Sequence, residues 1–253
     1  MIIPIWKKVG ESTHLLAQKV GEKIHQKATH TGTLDPMAEG IVVVLTGDDR
    51  FKKGEFKDAK KTYTFEILFG VSTDSLDLLG ITKDLTKQPL NEVEIGEKLK
   101  TLLQNFLGAQ IQIQPNFSAQ RVKGKSGFDL AKKGETFEQK KNRVTIFSID
   151  CKKVDSVDIT VLQNNIFDRI QLVSGDFRQQ KITEQWGETF RTLKKKNISQ
   201  LPFITLHIEV STRTYVRAFV RDLSKVLDIP ATTYSITRTK NGQFSQKDCQ
   251  NLL

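Results

Sequence analysis

A mixed α/β fold, one continuous sheet with helices on its faces, is what this chain predicts, and three stretches carry the prediction. Tyr63, Phe65, Ile67 and Phe69 alternate with Thr62, Thr64, Glu66 and Leu68, the period-two pattern of a strand packed on one face. Over residues 93–107, Ile95, Leu99, Leu102, Leu103 and Phe106 fall on one helical stripe. Ile204, Leu206, Ile208 and Val210 alternate again, and Phe219, Val220, Leu223, Val226 and Leu227 then take up helical spacing, so a strand feeds a helix.

The remaining elements follow in order. Leu15, Leu16, Lys19, Val20 and Ile24 follow helical spacing after Ser12 and Thr13, either of which suits the cap. The apolar run Ile41 to Leu45 reads as a buried strand. Gly70 ends the strand over 62–69, and Gly108 stands where a left-handed helix terminator belongs. Residues 154–202, with scattered charges, Lys194-Lys195-Lys196 and no clear long amphipathic period, read as an insertion with local structure, because a structureless loop of that length is foreign to a compact domain. There are no repeats, no low-complexity tracts and no strong linker.

Composition narrows the class of function. The 253 residues carry 39 Lys and Arg against 29 Asp and Glu, a formal charge of +10, which attracts polyanions, nucleic acid first among them. Two cysteines, Cys151 and Cys249, make no disulfide framework and no CxxC pair, which fits a reducing compartment. No apolar run approaches membrane-spanning length, and Met1 to Ile5 is too short for a signal-peptide core, so a cytoplasmic protein is expected. His14, His25, His30 and His207 show no metal-ligand spacing with the cysteines or acids, and no metal is expected. Between Arg121 and Arg143 eight Lys and Arg face three acids; Gly124, Gly127 and Phe128 within the run allow close backbone approach and set an aromatic beside the cations, as a phosphate-tracking surface would, although a solvated charged face has the same composition.

The run His30-Thr31-Gly32-Thr33-Leu34-Asp35-Pro36, with Gly40 four residues on, sets one carboxylate on a tight loop against a buried strand. A nucleophilic acid suits that place. Asp35 could equally cap a helix starting at Pro36, but only three residues separate Pro36 from Gly40 before β-branched residues take over.

This segment resembles the catalytic loop of the bacterial tRNA pseudouridine-55 synthases, whose pattern is Gly-Thr-Leu-Asp-Pro with a Gly four residues after the Pro. Further matches follow in the family's order: Lys7 with Gly10, Lys61-Thr62-Tyr63 entering a strand, Gln114-Pro115 with Ser118-Ala119 and Gly124, Thr214-Tyr215-Val216-Arg217, and Arg238-Thr239 with Gly242 and Phe244. Together they cover most of the chain except 154–202.

The resemblance implies a pseudouridine-synthase-like fold, a mainly antiparallel central sheet flanked by helices and loops, with 1–253 as a single catalytic domain, the insertion at 154–202, and no separate C-terminal RNA-binding domain. It implies an isomerase for uridine-55 in the T-loop of tRNA that needs no cofactor and acts as a monomer on the T-arm. Asp35 takes the nucleophile position, Arg217 the partner that keeps an enclosed carboxylate charged, Tyr63 the aromatic wall for a flipped-out uracil, and Tyr215 an acid–base or positional role. His30, Thr31, Gly32, Lys61, Arg121, Lys123, Ile236 and Arg238 fall at substrate- or RNA-contacting positions. Read without the family, Arg217 is an ordinary exposed arginine four residues from Arg221, and Tyr63 a core tyrosine.

Several residues depart from the family pattern. Asn116 and Phe117 stand where it has Pro and Tyr, Arg121 where it has Lys, Arg213 where it has Gly, and Ile236 where it generally has Leu. Arg213 therefore requires a backbone that tolerates a side chain. The rival readings are a non-catalytic RNA-binding or RNA-folding protein on the same scaffold, and a synthase for a different RNA uridine.

Overall fold

The computed structural model describes residues 1–56, 58–118, 121–122 and 124–252. Among them the strands and helices run β1 (Ile2–Lys7), α1 (Thr13–Lys23), β2 (Ala28–His30), β3 (Ala38–Thr46), β4 (Lys61–Phe69), β5 (Val71–Thr73), β6 (Thr82–Leu85), α2 (Glu92–Leu102), β7 (Gly108–Ile113), β8 (Arg121–Val122), β9 (Lys125–Ser126), α3 (Gly127–Lys132), β10 (Lys141–Asp158), α4 (Ile159–Gln171), α5 (Gln179–Lys195), β11 (Gln200–Val210), α6 (Val216–Leu227), β12 (Ala231–Asn241) and β13 (Phe244–Ser245).

The central sheet is ordered β1-β3-β12-β4-β11-β10-β7, with β2 on β3 and β13 on β12. Every pairing in it is antiparallel except β12 with β3, which runs parallel through Ile236 opposite Ala38 and Arg238 opposite Gly40. That exception matters for the site. It inserts β12 between β3 and β4, so that Arg238 faces Gly40 on one side and Tyr63 on the other. Gly40 has φ +116, and a Cβ there would lie 2.4 Å from the Arg238 carbonyl oxygen, so only glycine permits the approach.

Alternation in β4 sorts its side chains as the sequence predicts. Tyr63, Phe65, Ile67 and Phe69 join Leu16 and Val20 of α1, Ile95 and Leu99 of α2, and Phe219 and Leu223 of α6 in one apolar layer. Ser12 caps α1, as expected, with its hydroxyl accepting from the Leu15 N–H. Some predicted stripe positions are solvent-facing instead: Leu15 and Val226 are exposed, because each lies at the edge of its helix's buried stripe.

The segment 154–202 has local structure, within narrower bounds than the sequence suggests. Its first residues are still sheet, with Val154 opposite Ile204 and Val157 opposite Leu201, so only residues 159–199 lie between the strands β10 and β11. They fold as the helices α4 and α5, joined by residues 172–178. Leu162, Ile166 and Ile170 of α4 pack with Ile182, Trp186, Phe190 and Leu193 of α5 against Leu68, Leu78 and Leu201 in a second apolar layer. The amphipathic period is therefore present in α5, but narrow, one large residue per turn among Gln, Lys and Glu.

Candidate active site

Asp35 lies in the turn between β2 and β3, and no helix starts at Pro36; the turn closes with the Ala38 N–H donating to the Asp35 carbonyl at 3.0 Å. Neighbouring elements grip this turn by its backbone. The Thr13 hydroxyl donates to the Leu34 carbonyl and accepts the Leu34 N–H, both at 3.0 Å. Lys7, fully buried at the end of β1, donates Nζ to the carbonyls of Ala38 at 2.6 Å, Lys8 at 3.0 Å and Pro36 at 3.5 Å. The Gly10 N–H reaches the same Pro36 carbonyl at 2.8 Å. Lys7 and Gly10 thus converge on one carbonyl beside Asp35. Burial lowers the Lys7 pKa to about 8, against the opposing charges of Asp35 and Glu11.

Arg217 enters from the first turn of α6. The Tyr215 backbone at that helix end is held by Gln112 of β7, whose amide accepts the Tyr215 N–H at 2.8 Å and donates to the Tyr215 carbonyl at 3.1 Å. The guanidinium is buried and grips Asp35 with two bonds, Nε to Oδ2 and Nη2 to Oδ1, both at 2.8 Å. Its other donors reach the Ser75 carbonyl at 2.7 Å and the Phe117 carbonyl at 2.8 Å. Asp77 Oδ2 stands 3.6 Å from Nε.

A cation at the positive end of a helix, out of water, is disfavoured twice over. Burial indeed works against the Arg217 charge, but Asp35 and Asp77 outweigh it and hold the guanidinium above its ordinary pKa. Asp77 is buried, which pushes its carboxyl up, while Arg217 opposes. Its Oδ1 accepts from the Ser75 hydroxyl at 2.5 Å and from the Leu79 N–H at 3.0 Å.

Asp35, 29 % exposed at its side chain, opens on a cavity of about 440 Å³, a size typical of small-ligand pockets. Of the residues expected at the site, Asp35, Tyr63, Tyr215, Arg217, Thr31, Gly32, Lys61, Ile236 and Arg238 line it. Burial raises the Tyr215 pKa, and the Asp35 charge adds to the effect. Lys61 donates to the Ala59 carbonyl, and burial with the nearby Arg238 lowers its pKa to about 8. Arg238 is buried and braces backbone, with Nε to the Ile41 carbonyl at 2.7 Å and Nη2 to the Gly32 carbonyl at 3.2 Å.

His30 is not brought to the cavity wall. It pairs opposite Val44 in β2, its Nδ1 is buried without a hydrogen-bond partner, and burial together with Lys53 lowers its pKa to about 4. The side chain of Arg121 and all of Lys123 lie outside the described residues.

Sequence reasoning missed Asp77 with Ser75, Gln112, and the aromatic wall. Phe117, Phe128 and Phe177 line the cavity and meet edge to face, at centroid separations of 5.8 Å and 4.9 Å along the series. The signal for Asp77 was the density of hydroxyls and acids in Thr73-Asp74-Ser75-Leu76-Asp77, shortly after a strand-ending glycine. Among the described residues no group of three or more His, Cys, Asp or Glu could hold a metal ion, and no helix is long and apolar enough to cross a membrane.

Comparison with known proteins identifies the family. Residues 19–165 match the family described as TruB family pseudouridylate synthase, N-terminal domain. The "tRNA pseudouridine synthase B" of Latilactobacillus sakei is 29 % identical over 252 residues, covering 99 % of this chain and 70 % of that protein. The protein of the same name from Caldanaerobacter subterraneus is 30 % identical over 245 residues, covering 96 % and 69 %. Among solved structures, a chain of a Cbf5-Nop10-Gar1 complex matches with a TM-score of 0.57 at 15 % identity, over 97 % of this chain and 50 % of that one. A chain of an H/ACA RNP bound to a substrate RNA matches with a TM-score of 0.56 at 14 % identity, over 97 % and 48 %. The likeness to these two is one of fold, and the chain spans about half the length of each. By the family match and the relatives together, the chain belongs to the TruB family of pseudouridylate synthases.

Proposed function

We propose that this chain isomerises uridine-55 in the T-loop of tRNA to pseudouridine, with Asp35 as the nucleophile and the target base turned out of its stack into the cavity. The reaction breaks the bond from N1 to C1′, joins C5 to C1′, removes the proton from C5 and leaves one on N1. Atoms and electrons balance within the nucleotide, so no cofactor or group donor is required. Asp35 forms the transient covalent bond, and a second group manages the proton.

The observation that supports this reading is the two-bond Asp35–Arg217 pair at 2.8 Å, beside a cavity that Tyr63 also lines. The guanidinium holds both carboxylate oxygens of Asp35 and so fixes the direction in which the carboxylate faces the cavity. Tyr63 and Ile236 offer the uracil a flat apolar wall, and Tyr215 lines the same cavity as a positional or acid–base group. Thr31, Gly32, Lys61 and Arg238 line the cavity, and they are proposed with Arg121 and Lys123 as the residues that contact the RNA. The enzyme acts as a monomer on cytoplasmic tRNA, the choice of tRNA resting on its likeness to the tRNA pseudouridine synthase B proteins.

The test is release of tritium from C5-labelled uridine in a T-loop RNA. The wild-type protein releases it and Asp35→Asn does not, while RNA binding by the variant stays within about threefold of wild type. Equal turnover by Asp35→Asn sinks the nucleophile assignment. Binding without turnover by the wild type makes the chain an RNA-binding protein on a synthase scaffold, and pseudouridine at another position makes it a synthase for a different uridine.

A further inference from the structure

The connection between α4 and α5, residues 172–178, reaches back to the site from the far apolar layer. Its last residue, Arg178, precedes α5 with φ +65, a conformation that a residue with a side chain adopts only at a cost. The Arg178 side chain is 19 % exposed and donates Nη1 and Nη2 to Asp74 Oδ2, each at 3.2 Å, and Nη2 to Asp74 Oδ1 at 3.4 Å. The same guanidinium lies over the Phe117 ring, 4.8 Å from its centroid. Asp74 immediately precedes Ser75 in the chain. The two carbonyls that receive Arg217, at Ser75 and Phe117, therefore belong to the two segments that Arg178 joins.

Asp74 also accepts the Ile81 N–H at 2.8 Å, which fastens the loop bearing Ser75 and Asp77. The connection itself is anchored, since Asp176 pairs with Lys132 of α3 at 2.6 Å and the Ser174 hydroxyl donates to the Gly10 carbonyl at 3.2 Å.

We propose that Arg178 is a positioning residue: by tying Asp74 to Phe117 it sets the spacing of the Ser75 and Phe117 carbonyls, and so aims Arg217 at Asp35. It acts through Arg217 and does not itself line the cavity. The helices α4 and α5 thereby serve the catalytic pair as well as the apolar layer. This step rests on the function proposed above, so its test has one readout that depends on activity and one that does not.

The activity readout is the single-turnover rate constant for pseudouridine formation with enzyme saturating over T-loop RNA, which does not depend on the fraction of enzyme folded. Arg178→Ala is expected to lower it tenfold or more with the RNA dissociation constant within about twofold. Arg178→Gly loses the same contacts but relieves the backbone strain, and is expected to melt above Arg178→Ala while losing rate to the same extent. Arg178→Lys keeps a cation for Asp74 but cannot lie flat on the ring, and is expected between wild type and Arg178→Ala. The second readout is the Arg217 Nε–H resonance of ¹⁵N-labelled protein, assigned by its loss in Arg217→Lys, which should shift or broaden in Arg178→Ala and Arg178→Gly. The proposal requires both effects. A rate constant within twofold of wild type, a loss in RNA affinity alone, or an unmoved resonance overturns it. If the wild-type protein forms no pseudouridine, the functional reading fails and the resonance alone decides the clamp.

Discussion

At the scale of single residues, the site is built from charges and backbone conformations that would be costly anywhere else. Arg213 stands at φ +64 where the family pattern has glycine, exposed, with its carbonyl held by the Asn142 side chain at 3.1 Å. Arg213→Gly should therefore stabilise the protein by about 1 kcal/mol, read as a rise in the denaturant midpoint at constant m. A fall would mean that the arginine side chain contributes more than its backbone costs. His30 supplies a second expectation. Its folded pKa is about 4, below its ordinary 6.5, so from pH 6.5 down to 4 the unfolded chain takes up a proton that the folded one refuses. Stability then falls as pH falls through that window, and His30→Gln should lose less of it there than wild type does. Parallel pH curves for the two proteins would show that the imidazole titrates freely. Asp35, Tyr63 and Arg217 were readable as residues because each sits in a short ordered motif. Asp77 was not, because the run of hydroxyls and acids around it announces a turn and does not record that its carboxylate will face an arginine in α6.

At the scale of elements, strands and helices followed from periodicity where one face is broadly apolar, as in β4, α2 and α6. They did not where the stripe is thin. In α5, Trp186 is wholly buried and its Nε1 donates to the Leu78 carbonyl at 3.2 Å, yet polar residues surround it in sequence. Trp186→Ala should cost about 3–5 kcal/mol by leaving a cavity in the second apolar layer, measured by urea unfolding. A cost below about 1 kcal/mol would mean that α4 and α5 stand outside the cooperative core. The glycine at 40 is an element-level device too, since it lets β3 and β12 run side by side just after Asp35. Gly40→Ala should separate these strands and lower pseudouridine formation more than it lowers RNA binding, as read by single-turnover rate against filter-binding affinity.

At the scale of the whole molecule, the charge of +10 is the feature that composition already declared. If it works by neutralising phosphates, raising salt from about 50 to 200 mM should weaken RNA binding by on the order of tenfold or more, with a linear log–log slope. A flat salt response would assign affinity to base contacts alone. What the sequence by itself determined was local: the Asp35 loop, the alternating strands, the capped helices, and the ordered motifs that carry the family resemblance. Each of these is encoded within a few neighbouring residues by turn chemistry and side-chain period. Only the tertiary structure decided that Lys7 and Gly10 would meet on the Pro36 carbonyl, that Asp77 would join Asp35 at Arg217, and that Arg178 would bind Asp74 across 104 residues of chain. Those contacts depend on the order of strands in the sheet and on which loops it gathers at one end, and no local pattern of residue types records that order.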